Sequence, residues 1–109
     1  MRQTGVLTAM CLYALDHNVD RLAEDHDLAK GIAARLVDVP IAERVHPVET
    51  NIILVDLKPT GLDARACLAR LKEDDIAVTA VGHRRLRIVT HMDVNASDAE
   101  VLVQAFARL

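Results

Sequence analysis

Residues 85–90, Arg-Leu-Arg-Ile-Val-Thr, restrict the fold of this chain more than any other segment. Side chains alternate between the two faces of a β-strand, so a strand here has one largely apolar face and one basic face. The chain is therefore predicted to contain a sheet that covers a core on one side and presents arginines on the other. The apolar face carries Leu86, Ile88 and Thr90, and the opposite face carries Arg85, Arg87 and Val89.

The composition limits both the core and the partners of the protein. The chain has 109 residues, of which 51% are hydrophobic and only 2% aromatic. This length suits one domain with one core, and that core must be built mainly from Ala, Val, Leu and Ile. The net charge of -3 gives no electrostatic basis for binding nucleic acid.

Neither a membrane span nor a secretion signal is predicted. No apolar run approaches the length that crosses a bilayer, and residues 1–5 are too polar to begin a signal peptide. Cys11 and Cys67 lie far apart within apolar helical patterns, so both are expected to be reduced core residues. We therefore expect a cytoplasmic protein with no membrane partner.

Hydrophobic periodicity predicts the element order α-α-β-α-β-β-α, an α/β fold of the α+β kind. It implies a small, mostly antiparallel three-stranded sheet with helices on one face, in which the last two strands form a hairpin. Asn18 is the predicted cap of the second helix, Asp63 of the third, and either Asn95 or Ser97 of the fourth. Helices are predicted at about residues 3–17, 18–37, 63–72 and 95–109, and strands at about 50–57, 76–81 and 85–90.

The first predicted helix, at residues 3–17, is apolar over more of its circumference than one buried stripe requires. A helix of that kind is normally covered on more than one side. Because a domain this small offers few neighbours, the helix is expected to pack against protein that lies outside this chain.

Arginines near the last strand are the strongest candidates for a functional site. The sequence has no metal-ligand spacing, no hydrolytic triad and no glycine-rich phosphate loop. Arg84, Arg85 and Arg87 either protect a solvated edge strand from aggregation or include a carboxylate clamp, since a guanidinium matches a carboxylate with two parallel hydrogen bonds. The register favours Arg85 and Arg87 as clamp residues, because Arg84 is expected in the turn.

Several segments of the chain together resemble the C-terminal part of low-specificity threonine aldolases, which depend on pyridoxal 5'-phosphate (PLP). They occur in the same order, and the resemblance covers essentially all 109 residues. It implies a lyase of the aspartate-aminotransferase superfamily that cleaves L-threonine or L-allo-threonine to glycine and acetaldehyde, within a homo-oligomer. The segments are residues 1–7, 17–26, 50–52, 87–91 and 93–94.

The resemblance also implies roles for individual residues. Arg87 matches the arginine that binds the substrate carboxylate in this family. Arg2 matches an arginine near the cofactor phosphate, at a subunit interface. Asn95 is favoured over Ser97 as the cap of the last helix, and Arg85 lies outside the shared motif and keeps its interpretation as a charged surface residue.

The family's cofactor-binding domain and its Schiff-base lysine precede the segment that this chain resembles. Residues 1–17 are therefore expected to be a linker helix to a missing cofactor domain, and residues 18–109 the C-terminal small domain. Lys30, Lys58 and Lys72 have polar settings that do not suit Schiff-base chemistry. The chain alone is expected to bind no PLP and to be inactive. The alternatives are a non-catalytic interaction or small-anion binding module, and one half of a split enzyme.

Overall fold

The computed structural model describes residues 2–109, which form helices packed on one small sheet. The elements in chain order are α1 (Thr4–His17), α2 (Leu22–Leu36), β1 (Ala42–Val45), β2 (Ile52–Leu57), α3 (Ala64–Glu73), β3 (Thr79–Ala80), β4 (Arg85–Val89) and α4 (Ala96–Ala107). The strands lie in the order β1-β2-β4-β3, and every neighbouring pair is antiparallel. The predicted α/β class with a small antiparallel sheet is confirmed.

The hydrophobic core lies between one face of the sheet and the helices α2, α3 and α4. The alternation predicted for β4 is confirmed, because Leu86 and Ile88 are buried while the arginines of this strand are not. Phe106 of α4, the only phenylalanine of the chain, is fully buried in this core. The other large, fully buried side chains are mostly aliphatic, and they are Leu36, Ile53, Val55, Leu57, Cys67, Leu71, Leu86 and Thr90.

Two of the predicted helix caps are confirmed and one is wrong. The Asp63 side chain accepts a hydrogen bond from the backbone N–H of Ala66, and Asn95 forms a capping box with Asp98. Asn18 does not cap α2. Its backbone N–H donates to the carbonyl of Ala14, so Asn18 ends α1, and α2 begins four residues later, at Leu22.

The strand β1 adds a fourth strand to the three that the sequence indicated. Ala42 lies opposite Leu57 and Arg44 lies opposite Asp56, so the register shifts between Ala42 and Arg44. A bulge of this kind sets two residues of one strand against one of its partner and breaks the alternation of period two. The segment is also only four residues long, which leaves no hydrophobic pattern to identify it.

The predicted hairpin between the last two strands is confirmed, although β3 is only two residues long. Gly82 has a φ of +106° in the connecting turn. That conformation is costly for any residue with a Cβ atom, so the turn favours glycine at this position.

The helix α1 makes no contribution to this core, since none of its residues within 4–17 is buried. Cys11 is therefore exposed, which contradicts its predicted place in the core, whereas Cys67 is buried as expected. The described chain is 52 Å long, and its radius of gyration is 16.2 Å, compared with about 13 Å for a compact domain of 100 residues. The apolar surface of α1 thus lacks the neighbours that a helix of this composition normally has.

Replacing Phe106 with Ala should lower the free energy of unfolding by about 3–5 kcal/mol, because it leaves a cavity in the core. Denaturation in urea measures this change. The matched control is Tyr13→Ala, which removes an aromatic side chain that is 61% exposed on α1. The control should change the free energy of unfolding by less than about 0.5 kcal/mol, and equal losses in the two variants would contradict the described core.

Candidate functional site

The sheet face that points away from the helices is open and carries the predicted arginines. We call it the open face. Ile52 and Val89 are 40% and 39% exposed there, so the face presents apolar and charged groups to whatever lies above it. The side chains of the open face are Arg44 from β1, Ile52, Leu54 and Asp56 from β2, Thr79 from β3, and Arg85, Arg87 and Val89 from β4.

Arg85 is held in an ion pair with Asp56, which lies directly opposite it on β2. Arg85 Nε donates to Asp56 Oδ1 at 2.5 Å, and Arg85 Nη2 donates to Asp56 Oδ2 at 3.1 Å. His46 Nε2 donates to the same Oδ2 atom at 2.8 Å. The Arg85 guanidinium lowers the pKa of Asp56 to about 2, while partial burial opposes this shift and His46 adds to it. Both donors of one edge of the Arg85 fork are therefore occupied within the protein.

Arg87 lies on the same face, two residues further along β4, and its guanidinium has no such partner. No hydrogen bond or ion pair with another described residue involves this side chain. Its neighbours across the sheet are Leu54 on β2 and Thr79 on β3. Neither side chain carries a charge, so the fork of Arg87 is free to receive an anion from outside the chain.

The end of β4 beyond Arg87 is anchored to two other elements through Thr90. The Thr90 hydroxyl donates to the backbone carbonyl of Asp25 on α2 at 2.7 Å, and Thr90 is 1% exposed. The Asn51 side chain donates to the Thr90 carbonyl at 2.7 Å, and the Thr90 N–H donates to the Asn51 carbonyl at 3.0 Å. These bonds hold β4 in register and so determine where Arg87 stands on the open face.

Arg84 and Arg2, the other arginines considered from the sequence, have different surroundings. Arg84 lies in the turn before β4, as predicted, and Arg84 Nη1 donates to the backbone carbonyl of Lys58 at 2.7 Å. Arg2 is exposed two residues before the start of α1, and the structure places no partner from residues 2–109 on its side chain. The assignment of Arg2 to a cofactor phosphate stays a prediction.

Asp56 and His46 are the residues of this site that sequence reasoning missed. The segment around Asp56 is apolar on both faces, and the single carboxylate in it gave no sign of a partner. The alternation of side chains along the two strands is the signal that could have identified the ion pair of Asp56 with Arg85. If residues 50–57 pair with residues 85–90, then one register sets Asp56 opposite Arg85.

Other features of the described chain do not form a second site of this kind. A cavity of about 380 Å³ lies on the helix side of β4, where Ile88, Thr90 and Leu102 line it, and Arg87 does not. Within residues 2–109, no cluster of His, Cys, Asp and Glu side chains is arranged to hold a metal ion. No helix in that range combines the length and the hydropathy that crossing a membrane requires.

Asp56→Asn should reduce the free energy of unfolding at pH 7 by roughly 1 kcal/mol, since the Arg85 side chain is 42% exposed and solvent weakens the ion pair. The low folded-state pKa of Asp56 means that its stabilisation is complete above its ordinary pKa of 3.8 and is lost as the pH falls towards about 2. Urea denaturation of both proteins from pH 7 to pH 2 should therefore show the difference shrinking below about pH 5.

The control for this variant is Asp74→Asn, which removes a carboxylate paired with Arg108 on the exposed surface. Its effect at pH 7 should be smaller than about 0.5 kcal/mol. A difference between wild type and Asp56→Asn that stays constant down to pH 2 would show that the ion pair does not carry the stabilisation.

Comparison with known proteins relates this chain to a group of enzymes. The family model for Beta-eliminating lyase matches residues 1–60. Low-specificity L-threonine aldolase 1 of Arabidopsis thaliana is 36% identical over 108 residues, which are 97% of this chain and 30% of the plant protein. Low specificity L-threonine aldolase of Escherichia coli (strain K12) is 36% identical over 96 residues, which are 87% of this chain and 27% of the bacterial protein. The chain spans less than a third of the length of these relatives.

Solved structures share the fold at much lower sequence identity. Plasmodium falciparum ornithine delta-aminotransferase superposes with a TM-score of 0.71 at 14% identity, over 92% of this chain and 27% of that chain. Ornithine aminotransferase of Toxoplasma gondii, with partial occupancy of PLP at its active site, gives a TM-score of 0.65 at 15% identity, over 82% of this chain and 22% of that chain. The fold of this chain is thus found within larger PLP-dependent enzymes. Since the family match covers more than half of the sequence, the chain belongs to the beta-eliminating lyase family.

Proposed function

We propose that this chain is the C-terminal small domain of a PLP-dependent, low-specificity threonine aldolase, and that Arg87 binds the carboxylate of its amino-acid substrate. The reaction of such an enzyme cleaves L-threonine or L-allo-threonine to glycine and acetaldehyde. The relatives that support this proposal are named for that activity, and they match nearly the whole chain.

The free guanidinium of Arg87 is the observation that carries the proposal. Arg87 stands on the open face between uncharged neighbours, while the adjacent Arg85 is already paired with Asp56. A guanidinium donates two parallel hydrogen bonds to a carboxylate and so fixes both the position and the orientation of an amino acid. In the whole enzyme the role of Arg87 is to hold the substrate so that its reacting bonds face the cofactor.

The proposed division of the chain is a connecting segment at residues 1–17, whose described part contains α1, and the small domain at residues 18–109. The support for it is that α1 is exposed along its length whereas residues beyond it build the core. The exposed apolar side chains of α1 are expected to pack against the cofactor domain or another subunit. They include Val6, Leu7, Met10, Leu12, Tyr13 and Leu15.

The chain supplies one side of the active site and not the cofactor attachment. PLP, when bound to the whole enzyme, supplies the conjugated ring that takes up the electron pair of the broken Cα–Cβ bond. Lys30, Lys58 and Lys72 are all exposed, and none has the dry surroundings that Schiff-base chemistry requires. We therefore infer that the lone chain does not retain PLP.

The purified chain mixed with PLP and L-threonine should produce no acetaldehyde beyond that of PLP alone, because no lysine of the chain is buried. Acetaldehyde is measured by coupling to alcohol dehydrogenase and following NADH. The E. coli aldolase, assayed in parallel, shows that the assay works. Turnover by the chain above the PLP blank would contradict its inactivity. Visible absorbance from PLP retained after gel filtration would contradict the inference that the lone chain does not retain the cofactor.

Arg87→Ala should weaken the binding of acetate or glycine to the chain by about tenfold, the effect of losing a charge-assisted hydrogen-bonded pair. Binding is followed by NMR from the backbone amide shifts of Leu54 and Thr79, at constant ionic strength. Arg87→Lys should recover only part of the affinity, because an ammonium keeps the charge and lacks the fork.

Arg44→Ala is the matched control, since Arg44 is an exposed arginine on the edge strand β1, which β2 separates from β4. It should leave the affinity unchanged. Equal losses in Arg44→Ala and Arg87→Ala would mean that the open face binds anions only through its overall charge.

The alternative of a non-catalytic anion-binding module shares the free Arg87 and differs in what the rest of the gene supplies. Co-expression with the reading frame upstream separates the two. If this chain is part of a threonine aldolase, the product of the upstream frame should restore acetaldehyde formation, whether the two parts are joined or separate. Arg87→Ala should then reduce that formation. Carboxylate binding without restored turnover would favour the module.

A further inference from the structure

We propose that Asp56 determines which of two neighbouring arginines is available to a carboxylate ligand. It occupies the guanidinium of Arg85 and leaves the guanidinium of Arg87 free. This inference rests on the proposed role of Arg87 in substrate binding. It makes Asp56 a positioning residue, which sets the specificity of the site without touching the ligand.

Without Asp56 the two arginines would be nearly equivalent ligands for a carboxylate. Arg85 and Arg87 project from the same face of β4, and two residues along a strand are about 7 Å apart. Each arginine side chain can extend over much of that distance, so both can reach an anion placed between them. Nothing in their residue type or their strand distinguishes one from the other.

Asp56 removes this equivalence through its position on β2. Asp56 is the cross-strand neighbour of Arg85, whereas the neighbour of Arg87 is the uncharged Leu54. The bonds at 2.5 Å and 3.1 Å use both oxygens of the carboxylate. His46 holds one of these oxygens from the side of β1, at 2.8 Å. The carboxylate is thus fixed from two sides and is not free to turn towards Arg87.

The consequence concerns the class of ligand that the open face selects. One free fork on β4 receives one carboxylate in one position. Two free forks about 7 Å apart would accept a ligand in two positions, or would favour a dicarboxylate that bridges them. With Asp56 in place, the site is built for an amino acid with a single carboxylate, which is the class that includes threonine and glycine.

The test compares Arg87→Ala with the double variant Asp56→Asn/Arg87→Ala, using acetate as the NMR probe at constant ionic strength. The double variant should bind acetate about tenfold more tightly than Arg87→Ala, because the released Arg85 provides a new fork. Adding Arg85→Ala to the double variant should abolish the gain. Asp56→Glu/Arg87→Ala keeps the internal carboxylate and should remain as weak as Arg87→Ala.

A double variant that binds no more tightly than Arg87→Ala would overturn the role of Asp56, and so would a gain that survives the loss of Arg85. These outcomes are separate from the proposed function, which fails if wild type and Arg87→Ala bind acetate equally. Whether the proposed function holds or fails, the difference in acetate affinity between the double variant and Arg87→Ala decides the role of Asp56.

A second measurement needs no substitution and so holds even if Asp56→Asn fails to fold. Phenylglyoxal modifies free guanidinium groups, and mass spectrometry locates the modified residues. In the wild-type chain Arg87 and the exposed Arg44 should react quickly, while Arg85 should react about tenfold more slowly because it is paired. Equal modification of Arg85 and Arg87 would overturn the proposal.

Discussion

The register between β2 and β4 is the constraint on which both the core and the candidate site depend. It pairs Ile53 with Ile88 and Val55 with Leu86 on the inner face, where these side chains are at most 5% exposed. A shift of one residue would turn this apolar set towards solvent and the charged set into the core. The hydrophobic effect therefore holds the register, and every pairing on the open face follows from it.

The same register gives two arginines of β4 different neighbours across the sheet. Because Val55 must lie opposite Leu86, Asp56 lies opposite Arg85, and Leu54 lies opposite Arg87. The first pairing is satisfied inside the chain, and the second leaves a guanidinium without a partner among the described residues. An ion pair and a free cation thus stand side by side on a strand whose other face is fully buried. Under the proposed function, the anion for the second arginine is the carboxylate of the substrate.

Local patterns in the sequence predicted most of the fold. The helices, the two central segments 50–57 and 85–90 and the hairpin were all predicted from periodicity and turn residues, and so were the caps at Asp63 and Asn95. The strand β1 was missed because a bulge removes its alternation. The residue type of Asn18 suits a helix cap, but its N–H donates to the carbonyl of Ala14 and ends the preceding helix. Cys11 was predicted to lie in the core of this chain, where it is exposed instead. An apolar helical pattern does not show whether this chain or another protein covers the helix.

Local sequence is enough to give β4 a buried face and an arginine-bearing face, since side chains alternate along a strand whatever its neighbours are. It also determined the family, through motifs that extend along the whole chain. Only the tertiary structure separated Arg85 from Arg87, because their difference lies in the residues across the sheet. Asp56 is 29 residues away along the chain from Arg85, and strand pairing alone brings its carboxylate within hydrogen-bonding distance. Local pattern can predict which residues reach a surface, whereas long-range pairing decides which of them remain free to bind.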